Sequence, residues 1–179
     1  MFGPILHGEG MSLEPPRLEY LDTYLSWLAN LDVTRYLLIR FPPSQKQEEE
    51  WYQRMAGSEV DVLWAIVVGG QAIGSTGLHN LDWINRHAAS GLLIGEPSQW
   101  GKGYASQVVA LRTAYAFQEL GLERLETESF AVNMPMHRAL EKAGYQKVGL
   151  RRHHIYRGGG WHDTYIFELL RDEWLSGRS

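Results

Sequence analysis

The 179-residue sequence contains no cysteine, and this absence excludes disulfide bonds and metal sites built on thiolates. The chain also lacks a run of about 20 apolar residues, the length that a membrane-spanning helix requires. Its first segment, MFGPILHGEG, has neither the basic start nor the apolar stretch of a signal peptide. From these absences we expect a soluble, cytoplasmic protein with no membrane partner.

An excess of basic residues is missing as well. The formal net charge is −4 at pH 7, whereas a nucleic-acid-binding protein carries a basic stripe, so nucleic acid is not an expected partner. The seven histidines form no His-Glu-x-x-His run and no paired ligand spacing, so we expect no metal site. With 44% hydrophobic residues and no internal repeat, residues 1–179 are expected to form a single domain.

What the sequence does contain is a clear alternation of strand-like and helix-like segments. The predicted strands are GMSLEP (10–15), VLWAIVV (62–68), QAIGSTGLH (71–79), AASGLLIGE (88–96), LERLETESF (122–130), YQKVGLRRHHIY (145–156) and WHDTYIFELL (161–170). The predicted helices span residues 17–30, 48–55, 103–121 and 133–143, and the apolar stripe of the third comprises Val108, Leu111, Ala114, Tyr115 and residues 117–120. This order predicts a mixed α/β fold in which the fourth and fifth strands pair in parallel and hairpins lie on either side.

The segment SQWGKGYASQ (98–107) places Gly101 and Gly103 immediately before the third helix. Glycines at such a point let backbone N–H groups approach a ligand closely, and an anion at the helix N-terminus is the first candidate. The segment matches neither the P-loop pattern nor the dinucleotide fingerprint, which needs a third glycine. A turn that serves only the geometry between strand and helix stays open as the alternative.

A second motif lies about 30 residues downstream. In NMPMHRALEKAGY (133–145), Asn133 stands at the predicted N-cap of a helix that Gly144 ends. Together, WGKGYA and N-x-x-x-x-R-A-x-E-K-A-G-Y resemble the GNAT superfamily of acyl-CoA-dependent N-acyltransferases, and in particular its RimJ/RimL-type branch. The C-terminal segment 145–174 is similar to the final hairpin of that branch, so the resemblance covers roughly residues 10–175.

The resemblance implies a GNAT fold, with a mostly antiparallel sheet of about seven strands, a splayed parallel pair in its middle and about four flanking helices. It also implies acetyl-CoA as the cofactor, with its pyrophosphate in the glycine turn and its pantetheine arm along GLLIGE. Carried over residue by residue, the expected cofactor-binding residues are Leu93, Ile94, Trp100, Gly101, Lys102, Gly103, Tyr104, Ala105, Asn133 and Arg138. Packing for Trp100, helix capping for Asn133 and plain exposure for Arg138 are the alternative roles.

The chemistry that the resemblance implies is direct attack of a neutral amine on the acetyl thioester, which needs a base and an acid. Leu140 stands where many relatives have the acid Tyr, and Ala89 stands where many have a strand Glu. The remaining catalytic candidates are Glu126 and Glu128, which share one strand face, and Ser129. An ordinary solvated strand face is the alternative for the carboxylates, and His79, His153 and His154 cannot be placed.

The leading hypothesis is therefore an acetyl-CoA-dependent N-acetyltransferase. Its acceptor would be a primary amine on a protein N-terminus or on a small molecule such as a polyamine, an aminoglycoside or an amino acid. A catalytically silent acyl-CoA-binding sensor is the alternative, motivated by Leu140 and Ala89. By resemblance, the protein would be a monomer or a homodimer.

Overall fold

The computed structural model describes residues 1–177. The strands are β1 (Leu6–His7), β2 (Ser12–Glu14), β3 (Val62–Val68), β4 (Gln71–Asp82), β5 (His87–Ile94), β6 (Arg124–Phe130), β7 (Gln146–Arg157) and β8 (Gly160–Leu170). The helices are α1 (Leu21–Leu28), α2 (Leu31–Thr34), α3 (Gln45–Ala56), α4 (Tyr104–Gln118), α5 (Met134–Lys142) and α6 (Arg171–Ser176). Single 3-10 turns at Leu18–Tyr20 and Pro97–Gln99 precede α1 and α4.

All eight strands belong to one sheet, in the order β1-β2-β3-β4-β5-β6-β8-β7. The pair β5 and β6 is parallel, and the other neighbouring pairs are antiparallel. The predicted mixed fold with a central parallel pair is therefore confirmed. The sheet has one strand more than expected because β1 spans two residues, which is too short to give a hydrophobic period.

The helix boundaries differ from the predicted ones for local reasons. Helix α3 begins at Gln45 instead of Glu48, because Ser44 and Gln47 form a capping box that starts the helix earlier. The predicted helix over 17–30 is shorter, since its first residues form the 3-10 turn that ends at Tyr20. Helices α2 and α6 were not predicted, because four and six residues cannot show an apolar stripe.

The sheet has a separate hydrophobic core on each face. On one face, α4, α5 and α6 pack on residues such as Trp64, Leu125 and Phe167. On the other, α1 and α2 pack with Tyr52 of α3 on Ala65 and Val67. We call these the α4–α5 layer and the α1–α3 layer. Each layer covers its own face of the sheet. A ligand that enters the sheet beside one strand can therefore contact both layers.

The side chain of Asp163 links the two strands of the C-terminal hairpin. Asp163 Oδ1 accepts a hydrogen bond of 2.7 Å from the backbone N–H of His153, whose φ of 49° is left-handed. Within residues 1–177, no helix combines the length and the apolar character needed to cross a membrane.

Candidate active site

A cleft of about 1200 Å³ lies beside the central strands. Its walls are β3 to β6, the α1–α3 layer, and the first turns of α4 and α5. Small-molecule sites usually occupy about 300–1,000 Å³. The cleft is therefore large enough to hold a ligand of cofactor size together with a second, smaller one.

The cleft opens where the parallel strands separate. The ladder between β5 and β6 ends at Ala89 and Glu126, although β5 continues to Ile94 and β6 to Phe130. Leu93 and Ile94, both predicted to bind the cofactor, line the cleft beyond that point. Their unpaired side offers backbone groups to a ligand in the way that an exposed sheet edge does.

Side chains of the α4–α5 layer close the bottom of this split. Arg112 is fully buried, and its guanidinium donates to Thr76 Oγ1 at 2.7 Å, Gly91 O at 2.6 Å and Ser90 Oγ at 3.0 Å. Thr127 Oγ1 in turn donates to Ser90 O at 2.8 Å. Thr127 thereby links β6 to β5 beyond the end of their ladder, and Arg112 links β5 to β4.

The glycine turn before α4 has the properties of an anion site. Gly101 and Gly103 have φ values of 77° and 85°, a conformation that an L side chain adopts only with strain. The N–H groups of residues 101–105 donate to no backbone carbonyl within residues 1–177, and Ser106 is the first whose N–H bonds to Gly103 O. Tyr104 and Ala105 are the first two residues of the helix. A row of free N–H groups at a helix N-terminus attracts phosphate.

Trp100 and Lys102 flank the turn in different ways. The Trp100 indole Nε1 donates to Ile94 O at 2.8 Å, and the Arg35 guanidinium lies over its ring at 5.4 Å. Trp100 therefore joins the end of β5 to the turn. Lys102 Nζ donates to Gln99 Oε1 at 3.0 Å, and Lys102 is not among the residues that line the cleft.

Asn133 and Arg138 stand at the start of α5 and both line the cleft. Asn133 is the N-cap of the helix, with its Oδ1 at 3.4 Å from Met136 N. That distance is long for a hydrogen bond, so its side chain is only weakly engaged. Arg138 is exposed, one turn further along the helix.

The catalytic candidates on β6 have separate surroundings. Glu126 does not line the cleft, and its carboxylate lies 3.9 Å from Arg124. Glu128 lines the cleft, and its oxygens accept hydrogen bonds from Arg151 Nη1 at 2.9 Å and Thr164 Oγ1 at 2.7 Å. His154 Nδ1 lies 2.6 Å from the same carboxylate. Since a carboxylate has about four acceptor positions, Glu128 keeps one open.

Ser129 has the clearest unmet hydrogen-bonding capacity. It lines the cleft and is 6% exposed, and its Oγ has no hydrogen-bond partner within the described residues. Such a group is uncommon in folded proteins and calls for an explanation. Leu140, which the resemblance places where many relatives carry a Tyr, is fully buried and does not line the cleft.

The α1–α3 layer contributes residues to the cleft that were not among the predicted site residues. Glu48, Tyr24 and Arg54 line the cleft, although α3 has the composition of a solvated helix. The spacing of Glu48 with Tyr52 and Met55 would have placed Glu48 on the inner face of α3. In the part of the chain that the structure describes, no group of three or more His, Asp and Glu residues could hold a metal ion.

Comparison with known proteins adds sequence relatives to this geometry. Residues 11–146 match a family model described as "Acetyltransferase (GNAT) domain". "Uncharacterized N-acetyltransferase YoaA" of Bacillus subtilis (strain 168) is 29% identical over 173 residues, which are 94% of this chain and 97% of that protein. "Putative ribosomal N-acetyltransferase YdaF" of the same organism is 32% identical over 69% of this chain and 64% of its own.

Solved structures share the fold. The spermidine N-acetyltransferase of Vibrio cholerae, solved in complex with CoA and spermine, has a TM-score of 0.87 and 19% identity, over 94% of this chain and 99% of that chain. A GCN5-related N-acetyltransferase from Brucella melitensis has a TM-score of 0.76 and 25% identity, over 96% and 80% of the two chains.

Proposed function

The chain belongs to the GNAT acetyltransferase family and is an acetyl-CoA-dependent N-acetyltransferase; from this premise we propose that it acetylates a primary amine by direct attack, without a covalent enzyme intermediate. Acetyl-CoA supplies the activated acetyl thioester. The single observation that carries the proposal is the row of free N–H groups at residues 101–105, which opens onto a cleft of about 1200 Å³.

The residues of the cleft suit coenzyme A along its length. The N–H groups from Gly101 to Ala105 would hold the pyrophosphate, and the unpaired edge of Leu93 and Ile94 would hold the pantetheine amides. Trp100 would keep the turn at the end of β5, through its bond to Ile94. Asn133 would bind near the thioester and Arg138 near the nucleotide, while Lys102 would add charge outside the cleft.

Glu128 is the proposed proton acceptor for the amine. Its carboxylate lines the cleft and has an acceptor position left over after Arg151, Thr164 and His154 are counted. These three partners fix the orientation of the carboxylate, so the remaining lone pair points in one direction. Glu126 keeps a supporting part at most, because it stands outside the cleft beside Arg124.

Ser129 is the proposed proton donor on the leaving-group side. Its hydroxyl is buried in the cleft wall and has no hydrogen-bond partner within the described residues, so it can relay a proton to the departing thiolate while it takes a proton from a water molecule. This role would replace the tyrosine acid that Leu140 excludes. The Ser129 hydroxyl and the Glu128 carboxylate belong to adjacent residues on opposite faces of β6, which keeps the two proton-transfer groups apart.

The finer assignments follow the sequence motifs. We place the chain in the RimJ/RimL-type branch on the strength of its C-terminal hairpin motif and its 32% identity with YdaF. A cytoplasmic location, a monomeric or homodimeric state, and an acceptor that is either a protein N-terminus or a small amine belong to the same proposal. The spermine-bound fold relative favours testing small amines first.

The experiment compares two left-handed glycines by acetyl-CoA calorimetry and thiol release with an amine panel. In Gly103→Ala the methyl group strains a φ of 85° and disturbs the free N–H row, so we expect about tenfold weaker acetyl-CoA binding, equivalent to about 1.4 kcal/mol. The control is Gly159→Ala, where φ is 80° and the added carbon also meets open space, but Gly159 is not among the residues that line the cleft. Equal effects of the two variants, or no binding by the wild type, would contradict the proposed cofactor site.

A further inference from the structure

Glu48 is a buried carboxylate without a partner. It is 6% exposed, it lines the cleft, and within residues 1–177 its side chain takes part in no hydrogen bond or ion pair. Burying an ionised carboxylate without compensation is costly, and folded proteins normally pair such groups or use them to bind a ligand. The missing partner therefore points to a molecule that is not part of the chain.

Tyr24 repeats the pattern from the neighbouring helix. Its ring lines the same cleft, and its hydroxyl is buried with no hydrogen-bond partner in the described residues. Burial raises the pKa of this phenol, with the Glu48 charge as a further cause. The hydroxyl thus stays neutral and can accept a hydrogen bond beside the carboxylate.

The chemistry of the missing partner follows from these two groups. An ionised carboxylate only accepts hydrogen bonds, and a phenol oxygen can accept one as well. An ammonium group donates three hydrogen bonds and carries a positive charge, which would neutralise the negative charge of Glu48. A carboxylate or a phosphate would be repelled there, and an apolar group would leave both oxygens unsatisfied.

The position of Glu48 separates it from the reacting amine. Tyr52, one turn further on the same face of α3, donates to Pro16 O at 3.2 Å and packs on Phe2 at 5.0 Å. This face of α3 therefore lies over the β2 and β3 side of the sheet, whereas the cofactor split follows β5. Two strand spacings of about 4.8 Å separate β3 from β5, a distance of about 10 Å.

Arg54 also lines the cleft and would suit an acidic acceptor. Its side chain is exposed, so water can satisfy the guanidinium when no ligand is present. Glu48 is 6% exposed and lines the cleft, so much less water reaches its carboxylate than reaches Arg54. The more buried group places the stronger demand on a ligand, because less water is available to replace the missing partner.

We propose that Glu48 and Tyr24 form a cation subsite, which binds a second amino group of a small diamine or polyamine acceptor while the first amino group is acetylated. This assignment rests on the proposed acetyltransferase function and names the class of acceptor for it. The subsite positions the acceptor by its far end, and the distance of about 10 Å between β3 and β5 sets the scale of the spacing between the two amino groups.

The test uses a series of straight-chain diamines and the monoamines of matched length, with thiol release as the activity readout. Calorimetry of diamine binding to the protein gives a second readout that needs no turnover. For Glu48→Gln we expect the ratio of kcat/KM for a diamine to that for its matched monoamine to fall about ten- to a hundredfold, and diamine binding to weaken equally. Tyr24→Phe should lower the same ratio by a smaller factor.

Glu49→Gln is the matched control, because Glu49 is exposed on the same helix and outside the cleft. It should leave the ratio unchanged. Three results would each contradict the proposed subsite. The first is a wild-type protein with no preference for diamines, the second is an equal fall in kcat/KM for the diamine and its matched monoamine in Glu48→Gln, and the third is a preference for basic peptides over diamines as acceptors. A protein that binds diamines through Glu48 but releases no thiol with any amine would instead contradict the proposed function.

Discussion

Arg112 and Glu48 are both ionisable side chains buried beside the cleft, and they lie on opposite sides of the sheet. Arg112 in the α4–α5 layer is fully buried, and its guanidinium donates three hydrogen bonds to groups of β4 and β5. Glu48 in the α1–α3 layer is almost as buried, but its carboxylate has no partner in the described residues. The protein itself supplies acceptors for both terminal nitrogens of Arg112, although its Nε has no partner within the described residues, whereas the Glu48 charge faces the cleft.

This difference separates structural from ligand-binding uses of buried charge. The acceptors of Arg112 are neutral, and burial lowers the pKa of its guanidinium without a carboxylate to offset it, so the hydrogen bonds alone compensate its desolvation. They also link β4 to β5 beside the cleft. The Glu48 side chain makes no hydrogen bond or ion pair within the described residues, which leaves a ligand as its compensation. Three substitutions test this contrast.

The largest effect is expected from Arg112→Met. This change removes the donors to Thr76, Gly91 and Ser90 and leaves their acceptors buried. Breaking a buried charged network of this kind costs about 3–5 kcal/mol, and urea unfolding measures the loss. A loss below about 1 kcal/mol would show that these hydrogen bonds contribute little to stability, and the contrast with Glu48 would fail.

Glu48→Gln should have a smaller effect, of opposite sign and dependent on pH. Burial raises the pKa of Glu48 above its ordinary value, so the folded state holds this proton more tightly than the unfolded chain. The stability that the protonated Glu48 carboxyl contributes is present below its ordinary pKa and is lost as the pH rises through its raised pKa in the folded state. At neutral pH the variant should therefore be more stable than wild type, by about 0.5–2 kcal/mol.

That gain should shrink toward zero as the pH falls to about 4, where the wild-type carboxyl is protonated. Unfolding free energies of the two proteins over this pH range provide the measurement. A gain of the same size at every pH would indicate a packing effect and would count against an open charge.

The smallest change in stability is expected from Ser129→Ala. Its hydroxyl has no partner within the described residues, so its removal should alter the free energy of unfolding by less than about 0.5 kcal/mol. The kcat for acetyl transfer should nevertheless fall about a hundredfold if Ser129 is the proton donor. An unchanged kcat would exclude that role. A large loss of stability would show that Ser129, like Arg112, stabilises the fold.

The elements that form from local pattern could be predicted from the sequence. The turn at Gly101 and Gly103 and the central parallel pair follow from glycine chemistry and from strand–helix–strand order. The predicted stripe of α4 was displaced, because its centre includes Arg112 and Thr113, polar residues that a hydrophobic pattern counts as exposed. The acceptors of Arg112 lie in β4 and β5, and Thr113 Oγ1 lies 3.0 Å from the Tyr145 hydroxyl. No local pattern contains these partners.

The same reason explains the incomplete prediction of the catalytic groups. Glu126 and Glu128 are equivalent in a strand pattern, but the end of the ladder at Glu126 leaves only Glu128 in the cleft. Its partners Arg151, Thr164 and His154 come from β7 and β8. Contacts between segments so distant in the sequence become visible only in the folded sheet.

The short parallel ladder has a consequence for the folding of the chain. Strands β1 to β5 form one antiparallel group and β6 to β8 another. Within the described residues, the backbone ladder across the boundary joins only residues 87–89 to residues 124–126. A ligand bound between β5 and β6 would contact both groups of strands and would therefore stabilise the boundary between them. At a cofactor concentration of 100 times Kd, binding would add about 2.7 kcal/mol to the stability of the native state, so the stability of the fold would rise with the concentration of acetyl-CoA.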